Sequence, residues 1–303
     1  MPNGILIIDK PEGWTSMDVC AKLRGVFHEK RVGHGGTLDP MATGVLPIFI
    51  GRATRAAEFA EKSDKEYIAG LKLGVATNTQ DTTGEVLEEH PVEASRTQLE
   101  EVLEQFRGDI MQIPPMYSAI KINGKKLYEL ARKGREVERP ARPVTIKALE
   151  ILDQQGEDLY TIRVRCTKGT YIRTLCHDIG AALGCGGCMA SLRRTMAAGF
   201  TPENAYWDWG KLPTMGDILR SECPEEFLLP VDCVFKDLPA VAIMGRPAAL
   251  ARNGAPFPAK APQGAMGTWR DGGLCRVYDG KEFLAVGRYV GKEIKIVKSF
   301  FQV

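Results

Sequence analysis

One acidic residue in this chain stands where chemistry is possible. In GHGGTLDPMATGVLP, residues 33–47, Asp39 lies between a glycine-rich turn and a proline. Gly35 and Gly36 accept positive φ at little steric cost, and Pro40 drives the residue before it from helical towards extended angles. A carboxylate aimed by the backbone from both sides suits nucleophilic attack or proton abstraction. The same Asp-Pro pair is also a good helix start, with Asp at the N-cap and Pro at the first helical position. The choice between these readings rests on what the remaining chain brings to the loop.

Elements able to position that loop are legible by pattern. GILIID at 4–9 reads as a short apolar strand, and KPEGWTS at 10–16 as a turn. Thr15 or Ser16 then caps a helix carrying Val19, Leu23, Val26 and Phe27 on one face. A second helix is expected over about 97–107: Ser95 and Gln98 have capping-box spacing, Leu99, Val102, Leu103 and Phe106 share a face, and Gly108 stops it. From Tyr160, YTIRVRC alternates Ile162, Val164 and Cys166 with Thr161, Arg163 and Arg165, which is a half-buried strand. The following TKGTYIRTLCHDIGAALG reads as a turn and a helix with Ile172, Leu175, Cys176, Ile179 and Leu183 inward.

The 303 residues suffice for two domains, and 44% hydrophobic with 26% charged residues is a globular composition. No apolar run approaches bilayer length and the opening residues lack a signal-peptide pattern, so a cytoplasmic protein is expected. Its eight cysteines then read as reduced thiols. Cys185 and Cys188 have CxxC spacing, but the only histidines are His28, His34, His90 and His177, and no second pair completes a zinc set. No metal is expected.

Net charge is only +2, yet its distribution is uneven. Residues 121–147 carry nine basic and three acidic side chains, residues 231–303 eleven and six, and the remainder is net negative. Two positive regions on an otherwise acidic chain are the footprint of a polyphosphate partner, although a basic run can equally be a solvated helix face. The first region opens on an expected Asn123-Gly124 hairpin turn and continues as a short helix with Leu127, Leu130 and Ala131 on one side, ending at Gly134. Its apolar face is too thin for core, so it reads as an appendage. Residues 201–231 are irregular, with four prolines; beyond them AVAIM, LCRVYDGKEFLAVGRYV and EIKIVKSFF read as strands of a small β-barrel, turning at Asp279-Gly280 and Gly291.

Five segments accompany the Asp39 loop and carry a resemblance with it: KPEGWTS (10–16), DKEYIAGLKLG (64–74), PPMYSAIKINGKKLYELAR (114–132), KGTYIRTLCHDIG (168–180) and LGCGGCMASLRR (183–194). From Gly4 to about Arg194 the chain resembles the bacterial TruB family, the tRNA pseudouridine synthases that act on the T loop, and its terminal module is similar to a PUA domain. The resemblance implies an α+β fold: a mixed α/β catalytic domain on an antiparallel sheet over 1–230, with an RNA-clamping insertion at about 114–147, and a PUA-like barrel over 231–303. It implies isomerisation of the uridine at tRNA position 55 by a monomer, with no guide RNA, membrane or cofactor.

It also implies roles. Asp39 is the essential carboxylate, Arg173 its partner in the empty site, and Tyr67 stacks on the flipped uracil and assists removal of the C5 proton. His34 takes the place of the extruded base, Tyr171 and Leu192 wall the pocket, and Lys10 supports the loop or contacts RNA. By pattern alone Tyr67 is a half-buried strand tyrosine, His34 an exposed loop residue, Arg173 a surface helix arginine and Leu192 core. Gly35 departs from the family, where threonine is frequent between the His and Gly. Pseudouridine formation needs no redox partner or group donor, and the chain has no P-loop or dinucleotide fingerprint. Three rivals remain: a guide-RNA-dependent ribosomal RNA synthase, a non-catalytic tRNA-folding chaperone, and a small-molecule enzyme with GHGGTLDP as a phosphate loop.

Overall fold

The structure, a computed structural model, describes residues 2–122, 124–205, 210–259 and 271–301. In chain order its strands are β1 (Gly4–Lys10), β2 (Val32–His34), β3 (Thr43–Ile50), β4 (Lys65–Leu73), β5 (Val75–Thr77), β6 (Val86–Glu89), β7 (Gly108–Gln112), β8 (Lys121–Ile122), β9 (Lys125–Lys126), β10 (Arg142–Gln155), β11 (Leu159–Cys166) and β12 (Gly187–Ala197). The C-terminal part adds β13 (Ala240–Ile243), β14 (Phe257–Pro258), β15 (Leu274–Asp279), β16 (Glu282–Val290) and β17 (Glu293–Ser299). The helices that matter to the site are α1 (Ser16–Val26), α2 (Ala57–Lys62), α3 (Arg96–Glu104), α4 (Leu127–Ala131) and α5 (Ile172–Ala182).

An eight-stranded sheet runs β1-β3-β12-β4-β11-β10-β7, with β2 added on β3. Its pairs are antiparallel except β3 with β12, so the sheet is mixed rather than purely antiparallel. GILIID has no polar alternation because β1 is covered on both faces. Leu6 and Ile8 join a core with α1, α3 and α5, through Leu23, Leu99, Leu175 and Ile179. Ile5 and Ile7 join a second core on the opposite face, with Val45 and Phe49 of β3. The capping boxes form at both helix starts: Thr15 with Asp18 before α1, and Ser95 with Gln98 before α3.

Asn123 lies outside the described residues, but β8 and β9 pair across it and Gly124 has φ +79°. Leu127 of α4 is fully buried, so this helix is better seated than its thin apolar face suggests. Residues 142–147 belong to β10, which makes Arg142 and Lys147 part of the sheet and ends the appendage near residue 141.

The C-terminal strands form an open sheet, β13-β15-β16-β17-β14, rather than a closed barrel among the described residues. Hairpin turns occur at Gly280 and at Gly291-Lys292, all with positive φ. This sheet is not a separate body: Val286 and Phe300 sit in the same core as Ile5, Val45 and Phe49. Phe235 links the two, with Phe59 at 5.1 Å, Phe300 at 5.6 Å and Phe283 at 5.9 Å between ring centres. Among the described residues no helix is long and apolar enough to cross a membrane.

Candidate active site

The Asp39 loop is pinned residue by residue. Asp39 and Pro40 form a turn closed by the Ala42 N–H donating to the Asp39 carbonyl at 3.0 Å, and no helix follows. The helix-cap reading of Asp-Pro is therefore not what the chain does. On the N-terminal side, the Ser16 hydroxyl accepts from the Leu38 N–H at 2.9 Å and donates to the Leu38 carbonyl at 3.2 Å. On the other side, the Pro40 carbonyl accepts from the Gly13 N–H at 2.9 Å and from Lys10 Nζ at 3.2 Å. Lys10 is fully buried and its ammonium also donates to the Pro11 carbonyl at 2.8 Å, so it braces the loop from within. Burial pushes its pKa down to about 8.

Of the two loop glycines, only Gly36 takes positive φ, at +126°. Gly35 is required for closeness instead: a Cβ there would stand 2.9 Å from Ala60 of α2 and from the Phe49 ring. A threonine at this position would not fit without moving α2.

Arg173, near the start of α5, reaches the Asp39 carboxylate with two nitrogens, Nε to Oδ2 at 2.9 Å and Nη2 to Oδ1 at 3.3 Å. A fork-to-fork pair fixes orientation as well as charge. The guanidinium is itself held by the Thr79 carbonyl at 3.1 Å and the Tyr117 carbonyl at 2.8 Å, with Asp81 Oδ2 at 3.7 Å. The arginine side chain is 6% exposed and the aspartate 37%, so the carboxylate faces outward from a buried cation. Asp81 is in turn fixed by Thr79 and Thr83 hydroxyls at 2.8 and 2.6 Å.

Tyr67 projects from β4 and is 8% exposed. Burial raises its pKa, opposed by the nearby Arg194 charge. Leu192 and Arg194 of β12 pair in register with Ala69 and Tyr67, which places all four on one face of the sheet. Tyr171 precedes α5, and its backbone N–H and carbonyl are both bound by the Gln112 side chain, at 2.8 and 3.0 Å. Burial raises its phenol pKa. His34 ends β2 opposite Ile48; burial, then the Arg194 charge, lowers its pKa, so the ring is neutral at pH 7. Asp39, Tyr67, Tyr171, Arg173 and Lys10 thus lie close enough that the Asp39 charge acts on each.

Sequence reasoning missed Ser16, Asp81, Gln112 and Arg194. Ser16 and Arg194 stood inside quoted motifs, as a helix cap and the end of LGCGGCMASLRR, but their partners are backbone groups distant in the chain. The cysteines of that motif are buried thiols. Its Gly187 serves close packing, since a Cβ there would lie 2.8 Å from the Cys176 carbonyl oxygen where α5 crosses β12.

Residues 24–172 match the TruB family pseudouridylate synthase N-terminal domain, and residues 173–236 the tRNA pseudouridylate synthase B C-terminal domain. The chain is 43% identical over 289 residues to the tRNA pseudouridine synthase B of Azoarcus sp. (strain BH72), covering 95% of this chain and 91% of that one. The chain belongs to the TruB family. A second TruB relative, from Dechloromonas aromatica (strain RCB), is 45% identical over 94% of this chain and 91% of its own. Among solved structures, an H/ACA RNP bound to a substrate RNA containing 2'-deoxyuridine matches with TM-score 0.72 at 25% identity, covering 99% of this chain and 85% of that one. The mixed sheet described above is therefore the pseudouridine synthase core.

Proposed function

We propose that the chain isomerises the uridine at position 55 in the T loop of tRNA to pseudouridine, with Asp39 as the catalytic carboxylate. The observation that carries the reading is the two-point Arg173–Asp39 ion pair at the head of a loop pinned on both sides, beside Tyr67. The reaction breaks the C1′–N1 bond, forms C1′–C5, moves the C5 hydrogen off carbon and leaves N1 protonated, so nothing is gained or lost overall. A carboxylate serves this at C1′, at C6 or at a sugar proton, and each route needs it ionised and aimed. Arg173 aims it through two contacts and pairs its charge.

The target uridine lies inside a folded RNA and must be turned out to be reached. Tyr67 offers the stacking face and a phenol for the C5 proton, Tyr171 and Leu192 the walls, and neutral His34 a flat ring for the vacated place. The exposed Lys121, Lys125, Arg132, Lys133 and Arg135 of the insertion suit the phosphates of the T arm. We assign residues 1–230 to catalysis and 231–303 to a PUA-like RNA-binding module, in a cytoplasmic monomer that needs neither guide RNA nor cofactor.

The test is tritium release from an unmodified tRNA transcript carrying [5-³H]uridine, with chelator present, for wild type and Asp39→Asn. Release by wild type alone, near one tritium per tRNA, is expected. A well-folded wild type that binds tRNA without releasing tritium would move the reading to the chaperone. Release only with an added guide RNA would move it to the guide-dependent class, whose fold this chain shares.

A further inference from the structure

We propose that Arg194 is a positioning residue that joins the two halves of the catalytic apparatus, holding the Asp39 loop by its carbonyls and standing beside Tyr67 as its neighbour on the sheet. The inference rests on the roles given above to Asp39 and Tyr67.

The topology already singles the residue out. In β12, Arg194 has Gly44 of β3 as its register partner on one side and Tyr67 of β4 on the other. Gly44 is where the Asp39 loop re-enters the sheet, with φ +100°, and a Cβ there would lie 2.2 Å from the Arg194 carbonyl oxygen. The loop exit and the tyrosine strand are therefore brought against one residue, closely enough that glycine is needed on the loop side.

The side chain repeats this arrangement. Nε donates to the Val45 carbonyl at 2.8 Å, Nη2 to Gly36 at 3.1 Å and Nη1 to Thr37 at 3.4 Å. These acceptors flank Asp39 on both sides in sequence. The same residue is the register neighbour of Tyr67, and its charge acts on the phenol. A rigid five-donor fork can serve such divergent acceptors together, whereas an ammonium offers three donors from one point.

The setting is costly for a purely architectural residue. Arg194 is 1% exposed, and among the described residues no carboxylate pairs with it. An uncompensated buried cation is destabilising, and a hydrophobic side chain would fill the space more favourably. Placing that charge against a phenol eases loss of the phenolic proton relative to burial alone.

Single-turnover tritium release, tRNA filter binding and thermal melting test this for wild type, Arg194→Gln, Arg194→Lys, Tyr67→Phe and the Arg194→Lys/Tyr67→Phe double. An inactive wild type would sink the functional reading and leave nothing for Arg194 to position. With wild type active, we expect folded Arg194 variants to bind tRNA within about threefold of wild type, while the rate falls at least about 100-fold for Gln and 10-fold for Lys. In the double, the Lys change should cost less than it does alone but still cost something, because its hold on the Asp39 loop remains to be lost; a partial shortfall from multiplicativity is the signature of coupled sites. If Arg194→Gln does not fold, the Lys variant and the cycle decide alone. An undiminished rate in folded Arg194→Lys, a parallel loss of tRNA affinity, multiplying losses in the double, or failure of both variants to fold would each overturn the proposal.

Discussion

Asp39 owes its geometry to backbone contacts and its aim to one arginine. Because its carbonyl closes a turn and its side chain caps no helix, Asp39→Asn should leave the fold standing. The rate of isomerisation is expected to fall at least about 10³-fold, with tRNA affinity and melting temperature near wild type. Unfolding of this variant would contradict the turn as described. Arg173→Lys replaces a two-point contact by a point charge; a loss of roughly 100-fold in rate with retained binding is expected from single-turnover kinetics. Pattern reading took Arg173 for a surface arginine because helical periodicity assigns a face and cannot show reach from the first turn. Only the family resemblance paired it with Asp39. Ser16 and Arg194 stayed hidden for a related reason: bonds to backbone groups distant in the chain leave no mark on spacing.

Secondary elements were far more legible than side-chain contacts. Both capping boxes, the α1 and α5 faces and the alternating β11 follow from local periodicity, which survives in the fold because each element packs one face on a single core. The end of the insertion was misjudged because Arg142 and Lys147, though basic, are exposed residues of β10, which is paired on both sides within the sheet. The remaining basic residues of the insertion make a salt-sensitive prediction. Neutralising Lys125, Arg132, Lys133 and Arg135 together should flatten the plot of log affinity against log salt by about 0.7–0.9 for each phosphate no longer neutralised. An unchanged slope in filter-binding titrations would exclude this segment from the RNA interface.

Buried lysines beside the loop add a pH signature at the same scale. Burial pushes both Lys10 and Lys65 down from an ordinary value of 10.5 to about 8. Below pH 8 both states of the chain are protonated and the burial cost is fully present. Between 8 and 10.5 the unfolded chain binds more protons, so stability rises with pH from these groups. Measured by urea unfolding, wild type should gain stability relative to Lys65→Met across that window; a falling difference would contradict the assignment.

For the whole molecule, the decisive feature is the core shared by the two sheets. Phe300 is 2% exposed and contacts Phe235 and Phe283 at ring distances of 5.6 and 5.3 Å. Phe300→Ala is expected to cost about 3–5 kcal/mol. Arg52 and Arg55 add ties to the backbone carbonyls of Phe301 and Ser299, and Lys298 pairs with Glu58 at 2.7 Å. Calorimetry should therefore record one transition, with van't Hoff and calorimetric enthalpies in agreement; two resolved transitions would mean independent units. Sequence pattern read the terminal strands as a separate module because composition marks strands and turns but not what covers β1.

That shared core also sets an order for events during synthesis. Ile5 and Ile7 are separated by almost the whole described chain from Phe300, part of the surface that covers them. At about 5–20 residues per second, β1 waits on the order of tens of seconds for that partner. Synthesis of the C-terminal sheet, rather than completion of the catalytic segment, is then the step that closes this core.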